Sequence, residues 1–191
     1  MVESDEEKIW VTRSQNGDHA AFESLIRTHQ TMIHSLTFRM TGSVADSRDL
    51  AQETFVRAFQ QLASYHGTAR FSSWLYRIAI NACLDWRRSE KRRLALHTNW
   101  SQHRVDNHSP AEAAVDLDDL SRDVQAALMK LPEKQRAAIA LTVYGGKNHA
   151  EAANILGCSE TTVSWRIFSA HRKLKKILST KISRNEGGPR D

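Results

Sequence analysis

The sequence predicts an all-α protein built as two small helical domains joined by a flexible linker. Three observations lead there. Apolar residues recur at three- and four-residue spacing over long runs in both halves of the chain, the period of a helix with one buried face. Only 3 prolines and 8 glycines punctuate the 191 residues, which suits helices better than the many turns of an all-β chain. Charge falls in blocks: Arg87, Arg88, Lys91, Arg92, Arg93 and Arg104 outweigh Glu90; Asp106, Glu112, Asp116, Asp118, Asp119 and Asp123 then outweigh Arg122; Arg166, Arg172, Lys173, Lys175, Lys176, Lys181 and Arg184 outweigh Glu160. Two basic units tied by an acidic connector leave such a pattern, and so would the solvated faces of one helical domain. The polar stretch "HTNWSQHRVDNHSP", His97 to Pro110, places the boundary. The domains expected are 1–95, a linker over 96–120, 121–182 and a tail over 183–191.

The elements follow in order. "MVESDEEK" is acidic with no apolar run behind it, and the longest apolar stretch, Ala137 to Val143, is far short of the roughly 20 residues a membrane span needs. No membrane insertion is expected. Cys83 and Cys158 stand far apart with no CxxC pair, which fits a reducing cytosol. Phe22, Leu25, Ile26, Ile33, Leu36 and Met40 define a first long helix that Gly42 can stop. From Asp46 to Tyr65 a second helix places Leu50, Phe55, Ala58, Phe59 and Leu62 on one stripe. Asp49, Gln52, Glu53 and Arg57 lie on its outer side, open to water or to a partner protein.

A small-residue loop, His66 to Ser73, leads into a helix from Trp74 to Arg93 that turns Leu75, Ile78, Ala79, Ala82 and Trp86 to the core. Its opposite stripe carries Arg77, Asn81, Asp85 and Arg88. An asparagine among arginines, beside a loop holding Tyr65, His66 and Phe71, offers hydrogen bonds to a base edge, faces for stacking and cations for phosphates. That set suits single-stranded or opened nucleic acid. Aromatics at helical spacing are also ordinary core residues, and Trp74 is expected to be at least half buried.

In the carboxy-terminal half a helix starts with Pro132 at its first position, where the missing N–H costs nothing. It carries Ile139, Leu141 and Val143 inward and closes at Gly145-Gly146. Asn148 with Glu151 forms a capping box, Leu156-Gly157 ends the short helix, and Ser159 caps the next. There Val163, Ile167, Ala170, Leu174 and Ile177 form a buried stripe, leaving Thr161, Thr162, Ser164, Trp165, Phe168, Ser169, Arg172 and Lys173 outside. Helix, glycine turn and second helix with a polar amino end describe a helix-turn-helix, whose second helix enters a major groove. A net charge of +5 and a pI near 9.4 agree with a polyanionic partner. The nine histidines are scattered, with no HExxH, G-x-S-x-G or P-loop, so neither enzyme, metal site nor cofactor is expected.

"DLAQETFVRAF", "FSSWLYRIAINACLDWRR", "LPEKQRAAIAL" and "SETTVSWRIFSAHRKL", in this order and spacing, resemble an extracytoplasmic function (ECF, group IV) sigma factor of the sigma-70 family. The resemblance covers about Asp18 to Leu178. It implies that the amino half is the region 2 domain and the carboxy half the region 4 domain of an alternative sigma factor acting in the bacterial cytoplasm. Asp49, Gln52, Glu53, Phe55 and Arg57 then match the segment that docks on the β′ clamp helices of core RNA polymerase. Tyr65, His66, Gly67, Arg70 and Phe71, with Trp74, Tyr76, Arg77, Asn81 and Arg88, match the part that meets the −10 element and captures a flipped base. Thr161, Thr162, Ser164, Trp165, Arg166, Phe168, Ser169, Arg172 and Lys173 match the helix that meets the −35 element. The β flap is a further polymerase contact of such proteins. An anti-sigma factor is an implied partner, through which the chain could be held at the inner membrane.

The sequence also departs from the family. Ser164 and Ser169 stand where relatives often carry a basic residue, and Trp165 where a small one is common, which points to an altered −35 preference. Two rival readings are a sigma mimic that only sequesters an anti-sigma factor and a free-standing helix-turn-helix regulator. The mimic would need neither the arginine tract from Arg87 to Arg93 nor a basic recognition helix, and the regulator leaves "DLAQETF" and "FSSWLYRIAINA" unexplained.

Overall fold

The computed structural model describes residues 5–98 and 119–185, and every regular element among them is helical, as expected. Residues 99–118 of the expected linker and 186–191 of the tail lie outside the described residues. Helix α1 (Asp5–Gln15) was not foreseen: Ile9, Trp10 and Val11 form one apolar cluster without the helical repeat that would announce it. Its acidic first turn suits the positive end of the helix dipole. A pair between Glu7 Oε1 and His29 Nε2, 2.8 Å apart and nearly buried, ties it to α2 (His19–Thr41). Asp18 caps α2 by accepting from Ala21 N–H at 3.0 Å; that bond, then Arg13, holds its carboxyl below the usual range.

Gly42 ends α2 at φ +75°, donating its N–H to Phe38 at 2.8 Å. Ser43 caps α3 (Val44–Gln61), and a single 3₁₀ turn (Leu62–Ser64) follows. Helix α4 (Phe71–Thr98) begins three residues before the expected Trp74, because Ser73 and Trp74 N–H already bond back to Arg70 C=O. Leu25, Ile33, Leu36, Leu50, Leu75 and Ala79 pack at the centre of these helices. Phe59, expected inside, is 42% exposed. The buried stripe of α3 runs through Leu50, Thr54, Ala58 and Leu62, so Phe59 sits at its edge against the rings of His19 and Phe22.

The carboxy-terminal half opens with α5 (Asp119–Met129), which starts inside the acidic connector. Pro132 is the N-cap of α6 (Glu133–Ile139), one position before the site expected, and its missing N–H is equally harmless there. A π-helical turn, Ala140–Tyr144, continues α6, with Gly145 N–H bonding Ala140 C=O at 2.9 Å. The wider turn breaks the 3.6-residue period. Leu141 is therefore fully buried while Val143, expected to point inward, is 57% exposed. Helix α7 (His149–Leu156) has the Asn148–Glu151 capping box, and Gly157 in the left-handed region leads to α8 (Glu160–Asn185), where Ser159 Oγ accepts from Thr162 N–H.

The halves share one core. Ala137, Ala140, Leu141, Ala152, Ile155 and Val163 belong to the same buried cluster as Leu25 and Leu75. Arg136 pins the joint: its guanidinium donates to Leu128 C=O (2.9 Å), Met129 C=O (2.8 Å) and Leu131 C=O (3.0 Å) in its own half and to Met40 C=O (2.6 Å) in α2. These acceptors include the negative carboxy-terminal ends of α2 and α5, a favourable place for a cation.

Candidate nucleic-acid and partner interfaces

Helix α3 divides the expected docking residues between two flanks. Glu53 and Arg57 form an i,i+4 ion pair at 2.5 Å, and Arg57 also lies 3.6 Å from Asp85 of α4. Asp49 and Gln52 are exposed, whereas Phe55 is buried. On the other flank Arg48, Gln52, Val56 and Phe59 face Phe22, Ile26 and His34 of α2 across an apolar groove of about 640 Å³. Val56 is 50% exposed there. Neither Val56 nor Phe59 was singled out for docking; an apolar residue four positions from an outward Gln52 was the available signal.

The loop before α4 rests on a nest of rings. Tyr65, Phe71 and Trp74 lie 5.2–5.5 Å apart, and Tyr65 Oη donates to Ala69 C=O at 2.6 Å. Phe71, Tyr65 and Tyr76 are buried, and Trp74 is partly buried as expected. Burial pushes the Tyr76 hydroxyl up to about 12. These aromatics therefore face one another and the core, and the loop presents His66, Gly67 and Arg70 instead. Along α4, Arg77, Asn81 and Arg88 are exposed, with Arg88 paired to Asp85 at 2.8 Å.

Part of this surface is engaged by the carboxy-terminal half. Arg77 donates to Asn154 C=O of α7 at 2.5 Å, and Arg70 lies 3.8 Å from Glu151. Lys147 reaches Ser72 Oγ at 3.4 Å, with its ammonium 5.4 Å from the Tyr76 ring centre. Further along α4, Glu133 sits 2.6 Å from Lys91 and 3.8 Å from Arg87. The hydrogen bond from Lys91 is the main reason its carboxyl stays below the usual range.

On α8 the large side chains stand clear. Trp165 and Phe168 are 63% and 62% exposed, with Arg172 6.0 Å from the Phe168 ring centre. Thr161, Ser164, Arg172 and Lys173 are exposed, Ser164 Oγ lying 3.0 Å from His149 Nδ1. Three of the expected positions also do structural work: Thr162 at the Ser159 cap, Arg166 against Cys158 Sγ, and Ser169, which accepts from Gln135 Nε2.

Comparison with known proteins agrees with this architecture. Residues 25–93 match the sigma-70 region 2 model and residues 121–174 the sigma-70 region 4 model. The chain is 33% identical over 177 residues to the ECF RNA polymerase sigma factor SigW of Bacillus subtilis, covering 88% of this chain and 94% of that protein. It is 30% identical over 186 residues to the RNA polymerase sigma-H factor of Pseudomonas aeruginosa, covering 93% and 96%. Of solved structures, CnrH in complex with the cytosolic domain of CnrY is similar with a TM-score of 0.68 at 27% identity, covering 92% of this chain and 99% of that one. The sigma factor RpoE of Bartonella quintana, solved with the anti-sigma factor NepR, shares the fold with a TM-score of 0.67 at 23% identity, over 83% of this chain and 96% of that one. Two region models in order and full-length relatives at this identity establish the family: the chain belongs to the ECF sigma factors of the sigma-70 family.

Proposed function

We propose that the protein binds core RNA polymerase and directs it to a particular promoter set, reading DNA at two places. Such factors initiate transcription without a catalytic activity of their own. Residues 1–95 dock on the polymerase through Asp49, Gln52, Glu53, Phe55 and Arg57 and the apolar groove beside them. The loop from Tyr65 with Asn81 holds an opened −10 strand; Phe71 and Tyr76, being buried, support that loop from beneath. Residues 121–182 read the −35 duplex through the amino end of α8, where exposed Trp165 stands in place of the small residue common in relatives. Extruding a base costs a few kcal/mol of stacking and pairing, so a loop held rigid by a packed ring nest is a fitting device. The observation that carries the reading is that one chain holds both an exposed Asn81–Arg77 stripe beside that loop and a solvent-facing recognition helix.

An anti-sigma factor is the expected regulator, as for the relatives solved with one. No described helix is long and apolar enough to cross a membrane, so any membrane tether is supplied by that partner. Permanganate footprinting of promoter complexes tests the division of labour. Asn81→Ala is expected to abolish reactive thymines around the −10 element while leaving −35 duplex affinity within about twofold. Trp165→Ala should do the reverse. Loss of duplex affinity in Asn81→Ala would contradict the assignment.

A further inference from the structure

A second cavity, of about 610 Å³ and more polar than the α2–α3 groove, opens between α1 and the turn before α4. Lys8, Thr12 and Gln15 form one wall; Tyr65, His66 and Gly67 form the other. Its volume is that of a small-molecule site and admits one nucleotide. We propose that α1 is part of the base-reading site, an inference that rests on the −10 reading above: the cavity takes one extruded nucleotide of the opened strand, with Gln15 as the residue that positions the turn.

The geometry points there in three ways. The Gln15 amide spends both its donors on the turn, reaching Leu62 C=O at 3.0 Å and Tyr65 C=O at 2.8 Å. One side chain outside the region 2 match therefore fixes the backbone from which His66 and Gly67 project. Thr12 Oγ1 donates to Lys8 C=O at 3.0 Å, so its hydroxyl proton is committed and its oxygen is left as an acceptor toward the cavity. Lys8 places an exposed ammonium at the rim, 3.4 Å from Asp5, where a backbone phosphate can displace that weak surface pair. The position of α1 is itself secured by the Glu7–His29 pair. The contacts from α7 fall on Arg70, Ser72, Tyr76 and Arg77, whereas the cavity is lined by amino-terminal residues.

The test uses holoenzyme made from core polymerase and the full chain, with single-stranded oligonucleotides carrying the −10 element of a mapped promoter and an abasic site walked through it. Removing the captured base is expected to weaken wild-type binding about tenfold, as for loss of one stacked base. In Gln15→Ala, which frees the turn, and in Thr12→Val, which keeps the turn tied but removes the acceptor, that ratio should fall below about threefold. Affinity for core polymerase should stay unchanged in both, which separates a lost pocket from a misfolded domain. Either variant keeping the tenfold ratio overturns the role of α1 and leaves the −10 reading standing. A wild-type protein indifferent to the abasic site at every position overturns both.

Discussion

Arg136 is a buried cation whose four acceptors are all backbone carbonyls. Burial lowers its pKa to about 10, which still leaves it charged at neutral pH. Shortening it to alanine strands carbonyls from both halves, and hydrogen bonds to charged groups contribute about 1.5–3 kcal/mol each. Arg136→Ala should therefore cost about 3 kcal/mol or more in denaturant unfolding, and Arg136→Lys, lacking the planar fork, about 1–2 kcal/mol. The two thiols behave differently. Cys83 is buried and its thiol is pushed up to about 12, chiefly by burial, while Cys158 is partly exposed beside Arg166. A thiol reagent at pH 8 should modify Cys158 in the native protein and reach Cys83 only after unfolding. Neither the carbonyl cage around Arg136 nor this contrast is legible in the sequence, because both depend on which distant backbone segments meet.

Among elements, periodicity served well where helices bury one simple stripe. Leu25, Ile33 and Leu36 on α2, Leu75, Ile78 and Ala82 on α4, and Val163 and Ala170 on α8 are all buried as expected. It failed where the period itself changes, at the π turn that exposes Val143, and where a helix is too polar to repeat, as in α1. The candidate site was half legible: the exposed stripe Arg77, Asn81 and Arg88 follows from spacing, but burial of Phe71 and Tyr76 and the apolar groove at Val56 and Phe59 follow from tertiary packing. Turn glycines give a test at this scale. Gly157 and Gly42 both have positive φ, yet a Cβ at Gly157 meets open space whereas one at Gly42 would stand 2.9 Å from Met129 Cγ and Sδ. Gly157→Ala should cost about 1 kcal/mol from backbone strain alone, and Gly42→Ala measurably more, both read from unfolding midpoints.

At the scale of the whole molecule, the two halves share a core and the ion pairs Lys91–Glu133 and Arg70–Glu151 lie across their joint. The charge blocks in the sequence located the halves but could not orient them, since the contacts involve single residues of α4, α6 and α7. Because the folded pKa of Glu133 lies below 4.5, its contribution is fully present above that value and is lost as pH falls through the lowered one. Wild type should be more stable than Glu133→Gln by at most about 1 kcal/mol at pH 7. The difference should vanish in acid, as followed by denaturant titration at each pH. For Arg70, Tyr76 and Arg77 to meet a DNA strand, α7 must leave α4, so promoter engagement requires the halves to part.

Transcription in vitro with core RNA polymerase and this protein on a genomic DNA library, with every start site sequenced, tests the central claim most directly. The account predicts initiation at a limited set of sites sharing two upstream elements, with the −10 dependence lost in Asn81→Ala and the −35 preference shifted in Trp165→Ala. Initiation at no specific site, or start sites unchanged by both substitutions, would contradict it.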